Sequence, residues 1–155
     1  MSAAPFNVQP IIDRLQTQVS ALRQVSGAAD FAAVTSLADF PAPCAYVLLA
    51  CEQMDEPPKT GHAERGRQMA QQQRAIVSFG VVVVARNYRA GRGAQVADEL
   101  RTVLGQVRAA VMGYVPDCAG ARPCRLQRGD LTRYDASTAL WTDVYQTQHF
   151  IGVTP

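Results

Sequence analysis

Cysteine, histidine and arginine are the residue types in this chain whose number and spacing bear on chemistry. Four cysteines stand at Cys44, Cys51, Cys118 and Cys124, and two histidines at His62 and His149. A tetrahedral metal site or a redox pair needs such side chains at short, matched spacings, and no C-x-x-C pair occurs. Cys44 and Cys51 fall on one predicted strand an odd number of residues apart, which turns them to opposite faces. Cys118 and Cys124 flank AGARP and could approach across a loop. A reducing cytosol favours free thiols, however, and the four read as small, buried apolar side chains. His62 lies in a polar loop and His149 near the C-terminus, neither with a carboxylate or cysteine at ligand spacing. There is no H-E-x-x-H, G-x-S-x-G, Walker-type loop or dinucleotide fingerprint. GRG at Gly91 to Gly93 is too short to be a phosphate-binding signature. The reading is of a protein that is not an enzyme, with no catalytic residue, metal or cofactor.

The arginines are a different matter. Fourteen of the fifteen basic residues are arginine, Lys59 being the exception. Arginine is the better residue for bidentate and interface contacts, although high-GC coding produces the same skew. Three of them, Arg86, Arg89 and Arg92, cluster in RNYRAGRG. A net charge of +2 is too small to signal nucleic-acid or membrane binding by itself. The length of 155 residues suits one domain, and 48% hydrophobic with 18% charged residues is ordinary for a folded chain. No stretch approaches the roughly 18 apolar residues of a membrane span, and MSAAPFNVQP lacks the order of a signal peptide. A cytoplasmic protein is expected.

Several elements must position these groups. In NVQPIIDRLQTQVSALRQV, Ile11, Ile12, Leu15, Val19 and Leu22 recur at three and four, with Val8 a candidate member of the same stripe. They predict a helix capped near Asn7, with Pro10 in its first turn and Gly27 as its stop. Ala28 to Phe40 reads as a short helix or helical turn. Ala45 to Glu52 reads as a strand apolar on both faces. A polar stretch from Asp55 to Gln73 follows and predicts a long exposed loop. Then comes RAIVSFGVVVVAR, apolar on both faces and so central to its sheet or covered from outside the monomer. Gly80 within it suggests close approach of another backbone or a large ring. Val96, Leu100, Val103, Leu104, Val107 and Val111 predict a second long helix, with Gly105 marking tight packing and Gly113 its end. PCRLQRGDLTRY predicts a strand with a kink or bulge at Gly129–Asp130, DAST a turn, and ALWTDVYQTQHFIGV a closing strand. The expected fold is α+β, a two-layer sandwich of about four mostly antiparallel strands with two main helices on one face.

The order of these features resembles the tail terminator, or tail-completion, proteins of long-tailed bacteriophages and prophages. The resemblance covers roughly Val8 to Gly152, and is carried by PAPCAYVLLA, the polar loop, QQQRAIVSFGVVVVARNYR, ADELRTVLGQVRAAVMGYVP and LWTDVYQTQHF. It implies an α/β subunit that forms a hexameric ring on a completed tail tube. Such a ring stops polymerisation and offers a surface for joining the head, with DNA passing through its lumen. The implied partners are further copies of the chain, the tail tube protein and a head-completion or connector protein, with no membrane. The implied location is the host bacterial cytoplasm during assembly and then the virion tail. A head–tail connector or neck protein is the neighbouring alternative.

A closed ring joins unlike patches of adjacent subunits. The second sheet face at Tyr46, Val82 and Val84, expected to lack cover, and the turn carrying Arg86, Arg89 and Arg92 are candidate subunit contacts; intramonomer core and a solvated turn are the plainer readings. Asp55, Glu56, Lys59, Glu64, Arg65 and Arg67 in the loop are candidates for contact with a neighbour, the tube or the lumen, against a disordered surface loop. A second class is a nucleic-acid-binding module using RNYRAGRG, Arg74, Arg122, Arg125, Arg128 and Arg133 against phosphate, with Tyr88 or Tyr134 stacking.

Overall fold

The longest apolar run organises the molecule. The computed structural model describes residues 2–56, 66–86 and 93–153, the last of these with side chains from residue 97 onward. The chain forms α1 (Gln9–Gln18), β1 (Gln24–Ser26), α2 (Ala28–Ala33), a 3-10 turn (Leu37–Asp39), β2 (Cys44–Met54), β3 (Gln71–Arg86), α3 (Gly93–Val111), β4 (Arg125–Tyr134) and β5 (Thr138–Val153). The strands make one sheet in the order β1-β2-β3-β5-β4. β1 runs parallel to β2 and every other pairing is antiparallel. The sheet is therefore five-stranded and mixed, one strand more than the sequence pattern predicts. β3 lies at its centre and pairs with β5 along its whole length, from Gln71 opposite Val153 to Arg86 opposite Thr138.

One face of β3 presents Ala75, Val77, Phe79, Val81, Val83 and Ala85, all fully buried. They meet Ile11, Ile12, Leu15 and Val19 of the α1 region and Leu100, Val103, Leu104, Val107 and Val111 of α3. These are the two stripes read from the sequence. Asn7 Oδ1 accepts the Gln9 backbone N–H at 2.9 Å, and Pro10 sits in the first turn. Gly113 adopts a φ of 79° just past α3, the left-handed conformation that suits glycine at a helix end.

The other face differs from expectation. Tyr46, Val82 and Val84 do have cover, and it comes from this chain: they are 1%, 4% and 0% exposed. Phe31 of α2, with Val34, Leu37 and Phe40 beyond it, folds across them. The rings of Phe31, Phe40 and Tyr46 lie mutually within 5.5–5.9 Å, tilted or edge-on in two of the three pairs. Such aromatic clusters add to the burial of the rings. The segment that reads as a short helical turn is the lid of a second, smaller core.

Other boundaries also shift. α1 stops at Gln18, and residues expected to continue it form β1, led in by the Arg23 N–H donating to Pro43 O at 2.8 Å. Gly27 begins α2 instead of ending α1. Gln71 to Gln73, expected in the loop, already belong to β3. A bulge between Leu49 and Cys51 reverses the parity of β2, so Cys44 and Cys51 share a face after all; Cys44 is buried and Cys51 exposed. The irregularities of β4 fall between Leu126 and Arg128 and between Leu131 and Arg133, flanking Gly129.

Truncating Tyr46 to alanine should cost about 3–5 kcal/mol, as for other large aromatic core deletions. In urea denaturation the loss should be the same at low and high protein concentration. A loss that grows on dilution would put Tyr46 at a subunit contact instead.

Candidate assembly surfaces

Asp143 is a charged residue on the α3-facing side of β5, fully buried. Burying a carboxylate costs several kcal/mol unless every lone pair is used. Here Arg108 of α3 donates from both Nε and a terminal nitrogen at 2.7 Å, the Trp141 indole N–H donates at 2.7 Å, and the Tyr145 hydroxyl lies 3.3 Å away. The bidentate contact raises the Arg108 pKa still further, and burial beside the Asp143 carboxylate pushes the Tyr145 hydroxyl well up. Gly129 of β4 makes room: a Cβ there would stand 2.5 Å from Asp143 Oδ1 and 2.8 Å from Trp141 Nε1. By contrast, Gly80 is not a site of close approach, since a Cβ would meet the Thr142 methyl at 3.6 Å and the Asp143 carbonyl oxygen at 4.0 Å, both ordinary contacts. Gly105 is also not tightly packed, with nothing within 4 Å of the same position. No sequence pattern signals Asp143; its partner is 35 residues away on another element.

This network sets the distance between α3 and the β4–β5 hairpin, and an open groove of about 680 Å³ lies between them. Leu100, Leu104 and Gly105 form its helical wall, Leu131 and Tyr134 its strand wall, and Trp141 lies between. Leu131 and Tyr134 are 48% and 72% exposed. β4 is also the outermost strand of the sheet, so its outer hydrogen-bonding edge has no strand neighbour among the described residues. An apolar groove beside an open strand edge is a surface suited to another polypeptide.

At the opposite end of the sheet, Glu52 and His149 meet, although neither has a partner at short sequence spacing. Glu52 Oε1 lies 2.8 Å from His149 Nε2 and accepts the Phe6 backbone N–H at 2.7 Å. The Phe6 ring packs edge-on against His149 at 5.6 Å. The contact fastens the N-terminal segment over the core; among the described residues no group of three or more potential metal ligands gathers. Cys44 and Cys124 are free thiols whose burial pushes their pKa values up to about 11, which makes them poor nucleophiles.

The expected contact residues separate. Arg86 is tied within the chain, donating to Thr138 Oγ1 at 2.9 Å and to the Leu37 carbonyl, so it pins the aromatic lid to the sheet. Arg89 and Arg92 lie outside the described residues, as do Lys59, Glu64, Arg65 and Tyr88. Asp55 closes the base of the loop: its backbone N–H donates to Arg74 O at 3.0 Å and its carboxylate pairs with the Arg74 guanidinium. Glu56 and Arg67 are exposed on either side of that base. The remaining arginines do converge. Register places Arg74 opposite Phe150, Arg125 opposite Gln146, Arg128 opposite Val144 and Arg133 opposite Leu140, all on the face away from α1 and α3. Arg122 borders the same face beside Arg125, Gln146 and Gln148. Tyr134, opposite Ala139, is on the other side.

The fold is thus a small α+β one, with an open apolar groove beside the outermost strand. The family described as phage tail terminator protein matches residues 1–155, and the chain belongs to it. It is a phage structural protein of virion tail assembly. Among solved structures, a chain of the virion of a native gene transfer agent particle is similar at a TM-score of 0.46 and 14% identity, covering 89% of this chain and 90% of that one. That likeness is too distant to bear on function. No curated protein matches the chain. No helix among the described residues is long and apolar enough to cross a membrane.

Replacing Arg108 with alanine should destabilise the protein by roughly 3 kcal/mol, the low end for breaking a buried pair because the guanidinium itself keeps some solvent contact. Trp141 emission should shift with it, because the indole shares the same carboxylate. A variant with unchanged stability and emission would show that the network does not hold α3 to β5.

Proposed function

We propose that the protein caps the completed tail tube as a ring, most simply a hexamer, that stops tube polymerisation and presents a head-joining surface. The observation that carries this reading is the family match along the entire chain. The open edge of β4 and the adjoining apolar groove support it, because a head-to-tail ring needs one patch on each subunit that an unlike patch of the next can fill. In this reading the groove receives part of a neighbouring subunit. Arg89 and Arg92 contribute to that contact, while Arg86 holds the aromatic lid in place. The loop residues Asp55, Glu56, Lys59, Glu64, Arg65 and Arg67 reach the tube, a neighbour or the lumen. The partners are other copies, the tail tube protein and a head-completion or connector protein, with DNA threading the ring. Assembly takes place in the bacterial cytoplasm before the protein joins the virion.

Light scattering across a concentration series, with negative-stain images, tests the ring directly; tail tubes should be added if the free chain is monomeric. Ring-shaped particles of about six subunits are expected. Replacing Arg89 and Arg92 together with glutamine should weaken ring formation while leaving the urea midpoint unchanged. Deleting Pro57 to Gly66 should likewise preserve folding but reduce capping of tubes. A stable dimer with no larger species, with or without tubes, would contradict the proposal.

A further inference from the structure

The sheet face away from α1 and α3 has two halves. One is sealed by Phe31, Phe40 and Tyr46. The other, the Arg74 end of β3 together with the outer strand β4 along its length, is open. It carries Arg74, Arg122, Arg125, Arg128 and Arg133, the last level with Val84 beside the covered half. Ser78, Thr132, Thr142, Gln146 and Gln148 lie between or beside them. Two carboxylates accompany these five arginines: Asp55 paired with Arg74, and Asp130 with its oxygen 3.4 Å from Arg128 Nε. Five positive and two negative charges leave an excess of three. The whole chain carries only +2, so the remaining residues together are net negative by one. The low overall charge hides a segregated one.

We infer that this open half-face is a binding surface for the phosphate backbone of duplex DNA. The inference rests on the ring reading and adds to it which face of the subunit meets the threaded DNA. Three features select the ligand. Arginines with serine, threonine and glutamine are the side chains that contact phosphate and sugar without reading sequence. Alternate residues of a strand repeat every ~6.5–7 Å, which places the guanidiniums in rows, and the sheet brings further donors alongside. Arg122, Arg125, Gln146 and Gln148 also surround one depression of about 320 Å³, large enough for a phosphate group. A protein dock would need an exposed aromatic or methionine anchor at its centre. The exposed Tyr134 lies on the opposite side, and the apolar residues here, Ile76, Val144 and Phe150, are half-buried, the Phe150 ring being packed under Gly120. Without an exposed aromatic row, stacking on unpaired bases has no platform, which favours duplex over single strand.

The test is fluorescence anisotropy of the full chain with a labelled mixed-sequence duplex, between about 50 and 200 mM salt. Wild type should bind weakly and lose affinity steeply with salt. The triple variant Arg122→Gln, Arg125→Gln, Arg133→Gln should bind at least tenfold more weakly at low salt. Its log–log salt slope should be shallower by roughly 0.9 for each phosphate that it no longer neutralises. Arg101→Gln, on α3 across the sheet, should change neither. Urea midpoints of all variants should match wild type, because these side chains are exposed. Absence of salt-dependent binding by wild type, or an unchanged slope in the triple variant, would overturn the inference. So would polyglutamate displacing the duplex at equal charge, which would make the face a dock for acidic protein. The triple variant should still assemble on tail tubes, so failure to bind DNA is separable from failure to form rings.

Discussion

A strand with no polar face has to be covered twice, and most of this structure follows from that constraint on β3. Between Phe79 and Ala85 neither side of the strand faces water. One side is met by α1 and α3, whose stripes have the matching period. The other is met by the aromatic lid of residues 31–40, but only over its Val82–Val84 half. The remaining half, from Arg74 to Ser78, is where the strand's own composition becomes polar, and the arginines of β4 run along the outer strand from Arg125, level with Ser78, to Arg133, level with Val84. The molecule therefore has a covered end and an open end along a single face, and the transition is written into β3 itself.

The second organising contact is the Asp143 network. It joins elements that hydrophobic packing alone would leave free to slide, because Arg108 from α3 and Trp141 from β5 must reach one carboxylate while Gly129 in β4 stays out of the way. Holding α3 at a set height above the hairpin leaves the groove lined by Leu100, Leu104, Leu131 and Tyr134 open along its length. A subunit complete on its own would fill such a groove. Beside an unpaired β4 edge, it is where the proposed ring would seat an unlike patch of another copy. The two surfaces thus point in different directions, one apolar and one basic, on opposite sides of the same hairpin.

Much of the fold is legible in the sequence because its largest elements have strong periods. The α3 stripe, the two-sided apolarity of β3 and the facing of Trp141, Tyr145 and Ile151 in β5 all follow from spacing. β1 is not legible: Val25 continues the three- and four-residue rhythm of α1, and a three-residue parallel strand exists only because β2 lies beside it. The bulge in β2 is equally hidden, and one inserted residue is enough to move Cys51 to the face of Cys44. Tyr46, Val82 and Val84 lack visible cover in the sequence because Phe31 and Phe40 sit in a segment too irregular to announce a lid. The basic residues of β4 can be picked out one by one, yet only register shows that they share a face with Arg74. Family membership is legible in the order of features, whereas Asp143, Glu52 and His149 depend on contacts between distant elements that no local pattern encodes.

Whether this chain terminates tail tubes is the central question for its biology. The most direct measurement is the length distribution, by electron microscopy, of tubes assembled from tail tube protein with and without the purified chain. Addition should yield tubes that stop growing and carry a ring at one end, while tubes without it should lengthen with time. Tubes that keep growing, with no density at either end, would contradict a terminating role.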